Sequence, residues 1–281
     1  MILFQNVLAQ TESAHDSKVP EKNPLFSRLH TLSIHVRDTI THDSVFHFLV
    51  DELKLPVYYY PVTYGKRKYA GVYAGNLVLE PCGPYSDFSY ATNDFRAIFF
   101  GLTFESSEPL TLAAMALADR KIKHQIMGDE AIYFHEDSAL CGDNITISFM
   151  DKKNDKINDK RKMDSLRYAM NADTESDLGI EYVKEIRIGY KDSPNLQKWK
   201  DLISPVELIN NEIWKESNIL DFHFIKSNIK EVQSITFKVR SLEKAKEYLL
   251  KNNLAGSFID SKIQLNKSKT FGLSIYLTGE D

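Results

Sequence analysis

Four histidines, His30, His35, His42 and His47, fall within the stretch RLHTLSIHVRDTITHDSVFHFLVDELKLPVYY, interspersed with carboxylates. Imidazole and carboxylate together are the ligand set of zinc, nickel, manganese and iron. A metal site needs about three such side chains converging on one point. The elements carrying them decide whether these converge. LSIHVRD alternates apolar and polar residues with the period of a strand. Residues two apart on a strand share a face. His30 therefore shares a face with Leu32, Ile34 and Val36, the face expected to pack on a helix, and only a bulge would bring it to the other side. His35 shares its face with Thr31 and Ser33. His42 and His47 fall on the following helix, where a solvated role is expected. Four histidines reduce to one inward candidate, His35.

Other reactive patterns are sparse. No Gly-rich phosphate loop, Gly-x-Ser-x-Gly elbow or Cys-x-x-Cys occurs in the sequence. Cys82, in EPCGP, sits between prolines without an identifiable histidine partner and reads as a structural thiol rather than a nucleophile. Cys82 and Cys141 are the only cysteines. They could pair in an oxidising compartment, but two isolated thiols are more often free.

The chain of 281 residues suffices for two domains, and 43% hydrophobic and 26% charged residues give the balance of a globular core with a charged surface. A net charge of −4 implies no basic face, so nucleic acid is not an expected partner. No apolar run approaches the ~20 residues of a membrane span. At the N-terminus, VLAQ reads as a small-residue cleavage site with Val7 and Ala9 at the small positions and Gln10 as the mature start. Residues 1–26 are thus a polar tail or a signal-peptide remnant. The protein is periplasmic if the start codon lies inside a longer signal, and cytoplasmic otherwise.

Four strand-like segments, LSIHVRD, IFFGLTFES, EIRIGYKD and SITFKVRS, each end near a helix-capping residue: Asp38, Ser106 or Ser107, Asp192 or Ser193, and Ser241. Each leads into an amphipathic helix, with stripes Val45/Phe46/Leu49/Leu53, Leu110/Ala114/Leu117, Leu196/Trp199/Leu202/Ile203 and Leu242/Ala245/Tyr248/Leu249. Up to three short strands follow each helix. The third unit is the weakest, with ILDFHFI its one convincing strand. The polar segment DKKNDKINDKRKMDS reads as a solvated hairpin tip or linker.

This pattern resembles the vicinal oxygen chelate superfamily, which includes glyoxalase I, extradiol dioxygenases and bleomycin-resistance proteins. LSIHVRDTITHDSVFHFLVDELKLP looks like its first strand and helix, YAGVYAGNLVLEPCGP like its closing hairpin, and ITFKVRSLEKAKEYLLKNNL is a third match. The resemblance implies an α+β fold of four βαβββ modules paired into two glyoxalase-like domains, 27–150 and 179–281, joined by a polar linker, 151–178. It also implies a cavity inside each pair, binding a small-molecule substrate or ligand, and it leaves room for a homodimer.

In metal-dependent members the ligands come from the first and last strands of paired modules. Glu80, in NLVLEP, holds the position of the family's glutamate ligand and is the candidate catalytic and metal-binding carboxylate. The usual first-strand position falls at Thr31, so His35 is its nearest inward histidine. In the second module the positions fall at Phe99 and at Thr146 or Ser148. In the second half they fall at Glu185 and Ser234, with His223 and Tyr276 on the last strands. Glu185 and His223 are therefore metal candidates; alternatively, Glu185 pairs with a nearby Lys or Arg and His223 is an ordinary strand histidine. Tyr58, Tyr59, Tyr60, Tyr73, Phe99 and Phe100 are the aromatics expected near the cleft, with Tyr60, Tyr73 and Phe99 as the substrate-binding ones. Two functions stay open: a lyase, isomerase or dioxygenase using one divalent ion (Zn, Ni, Mn or Fe), or a non-catalytic binding protein that keeps the cavity without metal.

Overall fold

A computed structural model describes residues 24–85, 96–151, 157–172, 178–210, 212–216 and 219–280. The cleavage-site reading at Val7–Gln10 lies outside the described residues.

The chain folds as α+β. In the first module, β1 (Phe26–Val36) is followed by α1 (Thr39–His47), which runs into a π-helical turn over Phe48–Glu52, and then by β2 (Val57–Tyr64), β3 (Arg67–Tyr73) and β4 (Val78–Gly83). The second module repeats the order with β5 (Ala97–Ser106), α2 (Leu110–Asp119), β6 (Gln125–Met127), β7 (Ala131–Tyr133) and β8 (Thr146–Met150). These strands form one eight-stranded sheet, ordered β2-β3-β4-β1-β5-β8-β7-β6. The first strands of the two modules pair antiparallel at its centre, and each is flanked by the parallel last strand of its own module.

After α3 (Ile157–Ala172), the third module consists of β9 (Ile180–Tyr190), α4 (Ser193–Ile203), β10 (Ile213–Lys215) and β11 (Asp221–Lys226). The fourth consists of β12 (Glu231–Val239), α5 (Leu242–Lys251), β13 (Ala255–Ile259), β14 (Lys262–Leu265) and β15 (Ile275–Thr278). Their sheet has seven strands, ordered β10-β11-β9-β12-β15-β14-β13. The module that reads weakest in sequence is the one with two strands after its helix among the described residues.

Local chemistry sets the helix starts. Asp38 accepts from the Thr41 backbone N–H, Asp192 from that of Asn195 and Ser241 from that of Lys244, each satisfying an orphan donor of the first turn. The second helix departs from expectation. Its N-cap is Pro109, and Ser106 ends the strand, its hydroxyl donating to the Glu108 carbonyl. The expected stripes are the buried ones: Val45 and Leu49, Leu110 and Leu117, Trp199 and Leu202, Ala245 and Leu249. Leu32, Ile34 and Val36 are wholly buried, giving each sheet one helix-covered face and one concave face.

The polar segment is not a structureless linker. Residues 157–172 are helical, and Met163 and Met170 are buried seven residues apart, with Leu166 partly buried between them. That spacing is a single narrow helical stripe. The helix α3 lies on the concave side of the first sheet: Arg167 Nε donates to the Tyr73 hydroxyl at 3.3 Å, Lys162 sits 4.6 Å above the Tyr58 ring, and Arg28 reaches the Met163 sulfur.

Candidate functional site

Strand register places the concave residues of the first sheet in rows. Thr31 pairs with Val78, Ser33 with Glu80 and His35 with Cys82. Across the centre, Ser33 faces Gly101, which faces Thr146, while Thr103 and Ser148 share a 2.9 Å hydrogen bond. Glu80 accepts from the Tyr59 hydroxyl at 2.6 Å and from the Ser33 hydroxyl at 3.2 Å. Gly71 permits this, because a Cβ there would collide with the Tyr59 ring. Burial pushes the Glu80 carboxyl above its ordinary value, against the pull of the two hydroxyls. Burial, and then the Glu80 charge, likewise raise the Tyr59 hydroxyl.

One row further, the His35 ring lies between two others, 3.7 Å from Tyr85 and 4.0 Å from Phe100, centroid to centroid. Desolvation, helped by the Arg67 charge, lowers its pKa to about 3. Arg67 sits 4.2 Å above the outer face of Tyr85. His30 does sit at a β-bulge, between Leu29 and Thr31 in the pairing with β5. Its Nδ1 meets the Thr31 hydroxyl at 2.8 Å and its ring is edge-on to Tyr58. Cys82 and Cys141 are buried and free. Burial raises both thiols, Cys141 to about 12, so neither is a thiolate at neutral pH.

On the concave face of the second sheet, Thr236 registers with both Glu185 and Tyr276, and Ser234 with Arg187. The carboxylate of Glu185, 7% exposed, is enclosed by cations. Arg187 Nε donates to it at 2.7 Å, Lys262 Nζ approaches both oxygens at 3.0 and 3.1 Å, and Thr236 Oγ1 lies at 3.3 Å. His223 Nε2 is 3.6 Å away. Burial alone would raise the Glu185 pKa, but the Arg187 hydrogen bond, His223 and Lys262 together hold it below its ordinary value. Burial depresses His223, with Glu185 opposing.

This face opens into two cavities that share Arg187 and Tyr276. The larger, about 680 Å³, is also lined by Phe99, Ser234, Lys267 and Ser274 and reaches across to the start of β5. The smaller, about 270 Å³, lies against Lys262, Thr236 and the β13–β14 turn.

The sequence candidates are thus distributed unevenly. Glu185 and His223 come together, but within a cluster that includes Arg187 and Lys262. Glu80 and His35 share a concave face, one held by hydroxyls and the other by rings. Tyr60 is 73% exposed, and the ring that reaches Glu80 is that of its neighbour Tyr59. Tyr73 faces the first sheet's concavity, but it is wholly buried beneath α3, its hydroxyl donating to the Gly75 carbonyl. Phe99 lines the larger cavity, on the side away from Arg187's own sheet. Tyr59 and Phe100 are thus two of the expected cleft aromatics that do reach the inward candidates, Tyr59 by its hydroxyl on Glu80 and Phe100 by its ring on His35. Arg187 was legible as the same-face neighbour of Glu185, two residues on.

No protein-family model matches the chain, and no curated protein does. Solved structures do. A variant of homoprotocatechuate 2,3-dioxygenase from B. fuscum aligns with 92% of this chain and 72% of its own, at TM-score 0.59 and 15% identity. The 2,3-dioxygenase LapB from Pseudomonas sp. KL28 aligns over 90% of this chain and 92% of its own, at TM-score 0.53 and 11% identity. A 4-hydroxymandelate synthase variant from Streptomyces coelicolor has the same coverage, TM-score and identity as LapB. The chain has the vicinal oxygen chelate fold. At these identities the likeness is one of fold, and the chemistry rests on the residues present.

Those residues do not fit the divalent ion that metal-dependent proteins of this fold hold. Among the described residues, no three His, Cys, Asp or Glu side chains form a metal-holding group. Two unit charges 4 Å apart interact by ~4 kcal/mol at an effective dielectric of about 20, so a divalent ion that close to Arg187 or Lys262 would be repelled by about 8 kcal/mol from each. Among the described residues, the side-chain partners of Glu80 are the Tyr59 and Ser33 hydroxyls, and no imidazole, thiol or second carboxylate joins it in a metal-holding group.

Proposed function

We propose that this protein binds a small organic molecule in the concave site of its second sheet, without a metal ion held by its own side chains. The observation that carries this reading is the state of the inward carboxylates. Glu185 is neutralised by Arg187 and Lys262, and Glu80 is capped by Tyr59 and Ser33. A metal-dependent lyase, isomerase or dioxygenase would require one of them to shed those partners. The space beside Arg187 remains: about 680 Å³, within the range of small-molecule pockets, with a mixed lining of apolar residues such as Ile98, Phe99 and Leu273 and polar ones such as Ser234, Lys267 and Tyr276.

The test is amide NMR of the whole chain with benzamide at millimolar concentration and EDTA present. Shifts concentrated at Ser234, Ser274 and Tyr276 support the reading. Shifts that scatter over the surface, or that arise only when zinc is supplied, contradict it.

A further inference from the structure

We infer that the larger cavity recognises its ligand by an anionic planar group, a carboxylate, docked on Arg187 with Ser234 and Tyr276 beside it. This rests on the reading of the second concave site as a ligand site and names the ligand's chemistry.

Arg187 is built as a receptor. Its Nε is committed to Glu185 at 2.7 Å, and Glu185 is buried and held in turn by Lys262. The guanidinium is therefore fixed in orientation. Its two terminal nitrogens have no partner among the described residues, and the side chain lines both cavities. A guanidinium so anchored presents parallel N–H donors matched to the two oxygens of a carboxylate. Register places the Ser234 hydroxyl directly across from Arg187, and Tyr276 completes the polar end.

The cavity's acids lie elsewhere. Glu231 begins β12, three residues or about 10 Å from Ser234. Its carboxyl is engaged by Asn144, Gln233 and Ser227, and Asp143 accepts from the Lys230 backbone N–H. The apolar part of the lining is Ile98, Phe99, Val232 and Leu273, and Lys267 adds a second cation to it. The site therefore fits a carboxylate attached to a small aromatic or aliphatic body.

The experiment compares benzoate with its neutral analogue benzamide on the wild-type chain, Arg187→Met and Arg187→Lys, each by NMR titration after its melting temperature has been measured. The expected result is benzoate bound at least tenfold more tightly than benzamide by the wild type. Arg187→Met should lose that preference, with benzamide still shifting the Ser234, Ser274 and Tyr276 amides, which shows an intact cavity. Arg187→Lys should recover part of it. Guanidinium ¹⁵N signals of the wild-type protein should shift with benzoate and not with benzamide. Equal binding of the two probes by the wild type, or unchanged benzoate binding in Arg187→Met, overturns the carboxylate assignment while the cavity stands. Failure of both probes to bind the wild type overturns the ligand site and this inference together.

Discussion

Replacing His35 by phenylalanine isolates the energetic consequence of an imidazole held between two rings. Phenylalanine preserves the stack on Tyr85 and Phe100 and removes the titrating nitrogen. The folded pKa is about 3, against an ordinary 6.5. Below pH 6.5 the unfolded chain therefore takes up a proton that the folded chain refuses. Stability is lost as pH falls from about 6.5 toward 3, with a slope of at most ~1.4 kcal/mol per pH unit. The half-buried ring and solvent screening reduce this, so half the limiting slope is the working value, about 0.7 kcal/mol per unit. Between pH 6.5 and 4.5, wild type should lose about 1.4 kcal/mol through His35 that His35→Phe retains. For a chain of this size that is roughly 3–6 °C in melting temperature. Calorimetric or circular-dichroism melts of both proteins at several pH values in this window would show it. Other histidines contribute equally to both chains and cancel in the difference. Parallel wild-type and variant pH profiles would refute the reasoning, because the ring would then be protonated as easily in the fold as in water.

The two inward glutamates should respond with opposite signs. Glu185→Gln removes a buried anion from two partly exposed cations and should cost about 2–3 kcal/mol at pH 7 in denaturant titrations. Its folded pKa is depressed, so this stabilisation is present above pH ~4.5 and lost below it; a deficit that does not narrow in acid would count against the ion cluster. Glu80→Gln should stabilise the fold at neutral and higher pH, because the raised carboxyl pKa makes its ionised form the costly one, and the amide oxygen can still accept from Tyr59. Loss of stability in Glu80→Gln above pH 7 would contradict that sign. Met163→Ala should cost about 2–3 kcal/mol by emptying the α3 contact, while Lys160→Ala on its exposed face should be neutral; equal effects would mean that α3 is not docked.

Much of the fold was legible because its signals are local. Period-two runs, Asp38, Asp192 and Ser241 as caps, and the apolar stripes each depend on a few adjacent residues. The weak third module was visible as the absence of such a run. What escaped depends on distant or sparse contacts. The helix α3 turns Met163, Leu166 and Met170 inward from a charged segment, and its docking depends on a sheet built elsewhere. A basic partner for Glu185 was foreseeable, and Arg187 is its same-face neighbour. Lys262 comes from β14, whose register no local pattern supplies. Parity sent His35 to the concave face, but its stacking on Tyr85 depends on a turn whose path alternation does not encode. Histidine count pointed to metal, and carboxylate position by resemblance pointed to Glu80. The partners of each side chain, rather than its type, define the chemistry available.

The most direct test is metal stoichiometry: elemental analysis of protein purified without chelator, followed by melting with added zinc, nickel, manganese and iron. An ion at 100 times its dissociation constant would add about 2.7 kcal/mol, or roughly 5–10 °C for a chain this long. The account predicts no stoichiometric metal and no such rise. One ion per chain, with a rise abolished by Glu185→Gln or Glu80→Gln, would contradict it.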